Sequence, residues 1–323
     1  MSSQSELGDA LRLKRAGHLD QAVIALEALL AHQPTNAIAL SNLAEVQLRR
    51  RRLTEAAECL DRAEAAAGTT AMTARLRGDL SYKRHRYSDA ARSYREADGL
   101  GDRGTWSLVG LARSCLHSGD HEGARGAASK ATERAPGDPA GWLALGEIAM
   151  AEKRLPEAEK FFQRAHEASP KDKYAYAELV RARVMQMPKE ERAAEVEVLL
   201  RTTGKGNSHL QRLLGKLQKD EGDLDKAAKT LAQAVQSGDA YSRSAYAFSL
   251  KKAGRLDEAA RALAQCLADD PADPVIFRHY VSLQKERDAL EELRATLEEL
   301  LSRAGERRGA FLGALKTLPI AGQ

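Results

Sequence analysis

The stretch WLALGEIAMAEKRLPEAEKFFQRAHEASP, residues 142–170, decides how this chain folds. Apolar and small side chains recur at spacings of three and four on both sides of the segment 152–154. This pattern predicts two amphipathic helices joined by a tight turn. Pro156 suits the first turn of the second helix, and Ser169-Pro170 would end it.

The same pattern recurs every 34 residues. An alanine occupies each equivalent of position 158, and a small residue precedes it by twelve positions. The alanines are Ala22, Ala56, Ala90, Ala124 and Ala158, and the small residues are Ala10, Ala44, Gly78, Ala112 and Gly146. A fixed period of this length predicts a solenoid, in which each repeat buries its apolar face against its neighbours. Because the small residues would let two helix backbones approach closely, we expect Ala158→Leu to cost about 1–3 kcal/mol of stability.

Residues 142–170 resemble the tetratricopeptide repeat (TPR), whose pattern is W-x2-L-G-x2-Y, A-x3-F, A and P. The matching residues are Trp142, Leu145, Gly146, Ala158, Phe162, Ala165 and Pro170, and Ala149 replaces the tyrosine. The resemblance implies an all-α, right-handed superhelical solenoid of about eight to nine helix-turn-helix repeats with a C-terminal capping helix. It also implies a buried Trp142, whose truncation would cost about 3–5 kcal/mol.

The period becomes irregular beyond residue 172. The step is 69 residues from Gly146 to Gly215, and 32 residues from Gly215 to Ala247. We therefore expect the following division: five regular repeats over 3–172, a degenerate sixth over 173–207, the seventh and eighth over 208–273, and an atypical ninth repeat with a cap over 274–323. An alternative for the tail is a short coiled-coil contact between two chains, since Leu290 to Ala304 also fit a and d positions.

Composition limits the function classes. The 323 residues carry a net charge of only +4, which by itself indicates neither nucleic acid nor an anionic membrane as a partner. Three cysteines, Cys59, Cys115 and Cys266, lie far apart, and the last two fall at apolar helix positions, where we expect inert core side chains. The N-terminus lacks the apolar core of a signal peptide, and no run of apolar residues is long enough to span a bilayer. These features predict a cytoplasmic protein, and we expect a monomer rather than a dimer.

Two short motifs imitate functional sites. The segment from Gly99 to Gly104 matches G-x-G-x-x-G, but it follows a predicted helix instead of a strand, so we expect a turn and no dinucleotide site. His121-Glu122 begins a zinc-protease motif that fails at Arg125.

The run 49–52, four arginines, is interpreted as a solvated turn, with an anion or partner contact as the alternative. No catalytic, metal-binding or cofactor-binding residue is predicted, and we expect no enzymatic activity.

The TPR resemblance implies that the first helices of the repeats line a groove that binds peptides or helices of other proteins. Its inward positions present an apolar surface with charges of both signs in repeats two to five, and a basic surface with aromatic residues and few acids in repeats six to nine. The predicted partner-binding residues are Tyr82, Trp106, Arg113, Tyr174, Arg181, Arg212, Lys216, Phe248, Lys251 and Arg278.

Trp106 is the most specific of these predictions. It lies two residues before the position equivalent to Trp142, so its side chain should leave the core face and could anchor a partner. The alternative is packing against the neighbouring helix or the glycine-rich turn.

The sequence thus predicts a non-catalytic scaffold or adaptor that binds a partner protein or extended peptide in its groove, without a cofactor, and that could recruit or regulate an enzyme. The basic C-terminal half favours an acidic segment on the partner. The alternative function is single-stranded nucleic-acid binding through the same basic surface, with aromatic side chains stacking on bases.

Overall fold

The computed structural model describes residues 3–203, 206–239, 241–271, 273–301 and 308–318. The chain divides into two compact units, Met1–Ser169 and Pro170–Gln323, called here the N-terminal and C-terminal units. In the described residues all regular structure is helical. The prediction of an all-α repeat solenoid is confirmed.

The N-terminal unit consists of successive helix-turn-helix pairs. Its helices are α1 (Ser3–Ala16), α2 (Leu19–His32), α3 (Ala37–Arg49), α4 (Leu53–Ala67), α5 (Ala71–Lys83), α6 (Tyr87–Gly99), α7 (Trp106–His117), α8 (His121–Arg134), α9 (Pro139–Ala151) and α10 (Leu155–Ala168). Each odd-numbered helix is the first of its pair and contacts its own second helix, and α1, α3, α5 and α7 each also contact the first helix of the next pair. The first helices therefore form one layer and the second helices another.

The C-terminal unit continues the pairing. Its helices are α11 (Lys173–Val184), α12 (Lys189–Thr203), α13 (Ser208–Glu221), α14 (Leu224–Gln236), α15 (Tyr241–Lys252), α16 (Leu256–Asp269), α17 (Pro274–Glu286), α18 (Leu290–Leu300) and α19 (Arg308–Lys316). The assignment of residues 173–207 as a degenerate repeat stays a prediction.

Side-chain caps fix where many first helices begin. The Oδ1 atoms of Asn36, Asp138 and Asp172 each accept a backbone N–H from the first turn of the following helix, at 2.8–3.0 Å. Thr70 and Thr73 form a reciprocal capping box at the start of α5. Since such caps satisfy backbone donors that the helix itself cannot, the polar residues at this repeat position set the helix register.

The turn inside each pair uses one residue with left-handed backbone at the same repeat position. In the N-terminal unit these residues are Gly17, Arg51, His85, Gly119 and Lys153, with φ between 57° and 83°. Arg51 belongs to the arginine run, and the neighbouring Arg50 pairs with Asp20 at 2.6 Å. The run is therefore a turn, as predicted. Gly101, with φ of 90°, likewise follows the end of α6, where a turn is expected.

The small position of the first helix faces the second helix of the same pair. A β-carbon placed on Gly78 would lie 2.6 Å from the Tyr94 ring, and one placed on Gly215 would lie 2.5 Å from Cγ of Leu231. Both partners are sixteen residues downstream of their glycine. At both glycines a side chain of the second helix fills the space next to the first helix. The predicted close approach of the two backbones is confirmed at Gly215, where the β-carbon would also lie 3.3 Å from the carbonyl oxygen of Ala227.

Trp142 differs from expectation. Its side chain is only half-buried: the indole N–H donates to the carbonyl of Pro136 at 2.9 Å, and the ring stacks on Phe161 with centroids 6.3 Å apart. The prediction of a fully buried core tryptophan is wrong: Leu40 and Leu108, at the equivalent positions, are buried, but part of the larger indole of Trp142 stays exposed while the rest packs against the core. Truncation should accordingly cost less than the roughly 3–5 kcal/mol typical of a buried aromatic residue.

The cysteines occupy apolar surroundings. Cys59 and Cys115 are buried, and Cys266 is partly buried against the core of the C-terminal unit. Burial raises the pKa of the Cys59 and Cys266 thiols to about 11. Since the thiolate is the reactive form, all of this agrees with the predicted inert role.

The tail closes the core of the C-terminal unit. Leu293, Leu297 and Leu300 are buried within this chain, and Phe311 of α19 is fully buried with its ring 4.8 Å from that of Phe277. The coiled-coil interpretation is wrong for these leucines, because a seam with another chain would need them on the surface. Ala304 lies outside the described residues.

Candidate functional site

A cavity of about 530 Å³ opens on the layer of first helices in the N-terminal unit. Most of its wall comes from α3, α5 and α7, with one residue each from α6 and α9. The lining residues are Glu45, Leu48, Arg49, Arg75, Asp79, Tyr82, Lys83, Tyr94, Trp106, Val109, Gly110, Arg113 and Ala140. This surface, called here the N-terminal groove, lies where the first helices were expected to face a partner.

The centre of the groove is a carboxylate that three side chains hold in place. Oδ1 of Asp79 accepts hydrogen bonds from the Tyr94 hydroxyl at 2.7 Å and from the Trp106 indole at 3.4 Å. Oδ2 accepts from the Arg75 guanidinium at 3.2 Å. Burial raises the pKa of Asp79, although these donors and the charge of Arg75 act in the opposite direction. Asp79 is thus a fixed part of the floor, held by a side chain of its own helix α5 and by one each from α6 and α7.

Tyr94 reaches this floor from the second-helix layer. It belongs to α6, and its ring passes between Gly78 of α5 and Gly110 of α7. A β-carbon on Gly110 would lie 2.5 Å from Cζ of Tyr94, so neither glycine position can carry a larger residue without displacing the ring. Burial and the adjacent Asp79 carboxylate raise the pKa of the Tyr94 hydroxyl, which therefore remains a donor.

Charges on the groove floor compensate one another. Glu45, Asp79, Arg113 and Glu147 occupy one repeat position, 34 residues apart. Glu45 pairs with Lys14 at 3.0 Å, and the Arg113 guanidinium donates to both carboxylate oxygens of Glu147, at 2.8 and 2.9 Å. Each carboxylate of the row thus has a cation from the same or a neighbouring first helix.

Trp106 points away from the core, as predicted. Its side chain is 65% exposed, whereas Leu108, at the position equivalent to Trp142, is buried. Trp106 is the first residue of α7, and its bond to Asp79 holds the indole against the groove. The alternative prediction, in which neighbouring helices cover the ring, does not hold at this exposure.

Tyr82 lines the groove as part of an aromatic cluster. Its ring centroid lies 5.4 Å from that of Tyr87 and 5.7 Å from the ring of His117, and the last two rings stack at 4.6 Å. Burial, with smaller contributions from the charges of His85 and Arg113, lowers the pKa of His117. The structure therefore gathers three predicted site residues, Tyr82, Trp106 and Arg113, around one cavity.

In the C-terminal unit the basic surface is less free than predicted. Arg212 pairs with the buried Asp239 at 3.0 Å, Lys251 pairs with Glu286 at 3.2 Å, and Arg181 pairs with Glu178 at 2.5 Å. The expectation of few acids on this surface is wrong. The sequence analysis missed these carboxylates because they lie off the repeat positions assigned to the groove.

The remaining predicted residues of the C-terminal unit stay accessible to different degrees. Lys216 is exposed, but crowding by protein and by the charges of Arg212 and Arg181 lowers its pKa. Tyr174 and Phe248 are half-buried and make edge contacts with the rings of His209 and His279, respectively. Arg278 is exposed, and its Nε donates to the carbonyl of Pro274 at 3.2 Å. The exposed ring of Tyr241 lies 5.7 Å from the Arg212 guanidinium carbon.

Comparison with known families agrees with the helix pairs. The model of the tetratricopeptide repeat family matches residues 7–70, 75–139 and 109–173, which together make up half of the chain. The chain belongs to the tetratricopeptide repeat family. TPR repeats generally mediate protein interactions and have no catalytic role, and TPR proteins bind protein or peptide partners.

Solved TPR structures share this fold at low sequence identity. A TPR protein from Parabacteroides merdae ATCC 43184 is 18% identical, with 77% of this chain and 98% of that chain covered and a TM-score of 0.62. The pilF protein of Pseudomonas aeruginosa is 19% identical, with coverages of 66% and 97% and a TM-score of 0.53. A thermophilic TPR protein of Thermus thermophilus is 20% identical, with coverages of 56% and 98% and a TM-score of 0.51. These likenesses establish the fold alone.

No functionally curated protein matches the chain. In the described part of this TPR protein, no helix combines the length and apolar character that crossing a bilayer requires.

Proposed function

We propose that this TPR protein is a non-catalytic adaptor that binds a segment of a partner protein in its N-terminal groove. The observation that carries the proposal is the cavity of about 530 Å³ beside an exposed tryptophan. Exposure of an aromatic ring to water is unfavourable, and burial of the ring against a partner removes this free-energy cost. Tryptophan is also enriched among the residues that contribute most to binding free energy at interfaces. Because Asp79 already holds the Trp106 ring, little conformational entropy would be lost on binding.

The proposal includes a role for the C-terminal unit. Lys216 is exposed, but desolvation by neighbouring protein atoms and the charges of Arg212, Arg181 and Lys219 lower its pKa, whereas Glu178 acts in the opposite direction. An incoming carboxylate would lessen the repulsion among these cations. We therefore assign an acidic segment of the partner to the surface around Lys216. Lys216→Glu should weaken partner binding and reduce its dependence on salt.

Recruitment or regulation of an enzyme is the broader role that we propose. TPR repeats generally carry no chemistry of their own, so the partner would supply the reaction and this chain would supply the contact. Nucleic-acid binding is not part of the proposal, because carboxylates pair with Arg181, Arg212 and Lys251. The surface then offers one local patch at Lys216, which suits a short acidic segment, instead of the long row of cations that a phosphate backbone requires.

The test is quantitative capture from extracts of the native cells with three forms of the protein. Wild type is compared with Trp106→Ala and with the matched control Ile24→Ala, whose side chain is 67% exposed on the second helix α2. We expect a protein that wild type and Ile24→Ala retain and Trp106→Ala loses, and we expect the purified pair to reproduce the difference by calorimetry. Equal retention of every captured protein by both variants would contradict groove binding.

A further inference from the structure

Two rows of side chains follow the 34-residue step along opposite edges of the N-terminal groove. The apolar row, in the first turn of the first helices, consists of Ile38, Met72, Trp106 and Ala140. The basic row, in the last turn of the first helices, consists of Arg15, Arg49 and Lys83, and His117, whose pKa is lowered, holds the next position of the row. The groove thus differs in polarity across its width, and the difference repeats along its length.

Both rows are accessible. Ile38 and Trp106 are 60% and 65% exposed, and Met72 and Ala140 are half-buried. The residues at all four positions of the basic row are exposed. Arg49 follows Ile38 by eleven positions on α3, which places the rows about 16 Å apart along the helix axes.

The same cavity touches both rows. Trp106 and Ala140 line it from the apolar row, and Arg49 and Lys83 line it from the basic row. A segment that fills the cavity would therefore meet apolar side chains on one flank and cations on the other.

The floor between the rows does not add a net charge. Its cations Lys14, Arg75 and Arg113 are paired with Glu45, Asp79 and Glu147. Arg15, Arg49 and Lys83 are exposed cations at one edge of the groove, and they attract carboxylates to that side.

Helix stability explains only one row. A cation in the last turn interacts favourably with the helix macrodipole, which accounts for Arg15, Arg49 and Lys83 in any helix. It does not account for Ile38 and Trp106, large apolar side chains left exposed at the opposite ends of α3 and α7. The two rows together point to a ligand with two unlike sides.

We propose that the N-terminal groove takes an amphipathic acidic segment of a partner protein, with its apolar side chains against Trp106 and Ile38 and its carboxylates toward Arg49 and Lys83. The proposal rests on the proposed function, since it names the chemistry of the segment that the groove binds. It also sets the orientation of that segment across the groove.

The probe is a display library of random short peptides, selected against the full-length protein. Wild type is compared with Trp106→Ala and with the double variant Arg49→Glu/Lys83→Glu. The matched controls are Ile24→Ala and the double variant Arg92→Glu/Arg164→Glu, which reverses two exposed cations on the second helices α6 and α10. Circular dichroism and thermal unfolding confirm that each variant is folded.

We expect wild type and both controls to enrich peptides that combine apolar residues with Asp or Glu. Trp106→Ala should weaken binding of these peptides about tenfold while keeping the acidic preference. Arg49→Glu/Lys83→Glu should weaken binding of the same peptides by a similar factor and remove the salt dependence of that binding. Selection against this variant should instead enrich peptides that contain Lys and Arg.

Two results overturn the inference and separate it from the proposed function. If peptides are enriched without an acidic preference, or with one that Arg49→Glu/Lys83→Glu leaves unchanged, the amphipathic assignment fails while groove binding stands. If no peptide is enriched and Trp106→Ala also retains every cellular partner, both proposals fail.

Discussion

Gly146 and Phe162 fit together only because the glycine has no side chain: a β-carbon at residue 146 would lie 2.4 Å from Cε1 of the phenylalanine. Phe162 is fully buried, and the backbone of α9 closes over its ring. The glycine therefore serves packing, at a position where its helix propensity is unfavourable.

Gly146→Ala should destabilise the protein by about 1–3 kcal/mol, because overpacking outweighs the gain in helix propensity. The matched control is Gly126→Ala in the middle of α8, where a new β-carbon meets nothing within 4 Å. That change should stabilise by about 0.5–1 kcal/mol. Urea unfolding of both variants measures the difference, and equal effects of the same sign would refute the packing explanation.

Asp239 should be one of the most sensitive positions of the C-terminal unit. It is buried, pairs with Arg212 and accepts the backbone N–H of Tyr241 at 3.2 Å. Asp239→Asn keeps a capping oxygen and removes the charge partner of Arg212, so we expect a loss of about 3 kcal/mol. Asp239→Ala should lose about 1 kcal/mol more, the usual value of a helix cap. Denaturant unfolding tests the order, which fails if Asp239→Asn is as stable as wild type.

His117 should make stability depend on pH in the mildly acidic range. Its folded pKa is lowered by burial, by His85 and by Arg113, against the opposing charge of Glu147, so the unfolded chain binds a proton more readily. Its contribution is therefore complete above the ordinary value of 6.5 and is lost as the pH falls from there toward the folded pKa. Relative to wild type, His117→Gln should lose less stability between pH about 7.5 and about 5.5.

The measurement for His117 is the urea midpoint at the two pH values. His18→Gln, a change at an exposed histidine in the turn before α2, serves as the control. His209 in the C-terminal unit also has a lowered pKa, owing to burial and Arg212, so part of the dependence should survive in His117→Gln. An unchanged slope in His117→Gln would rule out the assignment.

Lys153 occupies the left-handed turn position with φ of 60°, a conformation that costs a residue with a β-carbon about 1 kcal/mol. Lys153→Gly should stabilise by about 0.5 kcal/mol, because relief of this strain exceeds the added entropy of the unfolded chain. Lys160→Gly, at an exposed site inside α10, should instead lose about 1 kcal/mol. Thermal unfolding separates the two, and a loss in both would show that the turn is not strained.

The 34-residue step was sufficient to predict the fold, because helix pairing in a solenoid depends on small, apolar and turn-forming residues at fixed intervals. The exposure of Trp106 followed from its two-residue offset, since helix geometry fixes which face a position occupies. Trp142 was misplaced because a repeat pattern shows which face of the helix a position occupies, but not whether the whole of a large side chain fits beneath that face.

Features that depend on particular side chains escaped prediction. The Tyr94 hydroxyl reaches Asp79 because the tyrosine ring passes between two first helices. In the sequence, the only sign of the space for this ring is the pair of glycines Gly78 and Gly110. The carboxylates Glu178 and Asp239 pair with Arg181 and Arg212 from positions outside the groove row. They were missed because the charge of the groove was predicted only from the residues at the groove positions of each repeat. Periodicity in the sequence thus predicts the backbone fold well, but it predicts the net charge of a surface poorly.

The bond between Arg113 and Glu147 spans one full repeat, which has a consequence for how such an array can change length. Excision of residues 104–137 would keep every helix and turn in phase, yet it would set Asp79 beside Glu147 and leave no arginine between them. Duplication of the same segment would place two arginines side by side. The repeats of this protein are therefore interchangeable in backbone but not in order, because a change of order would break the charge pairing between neighbouring first helices.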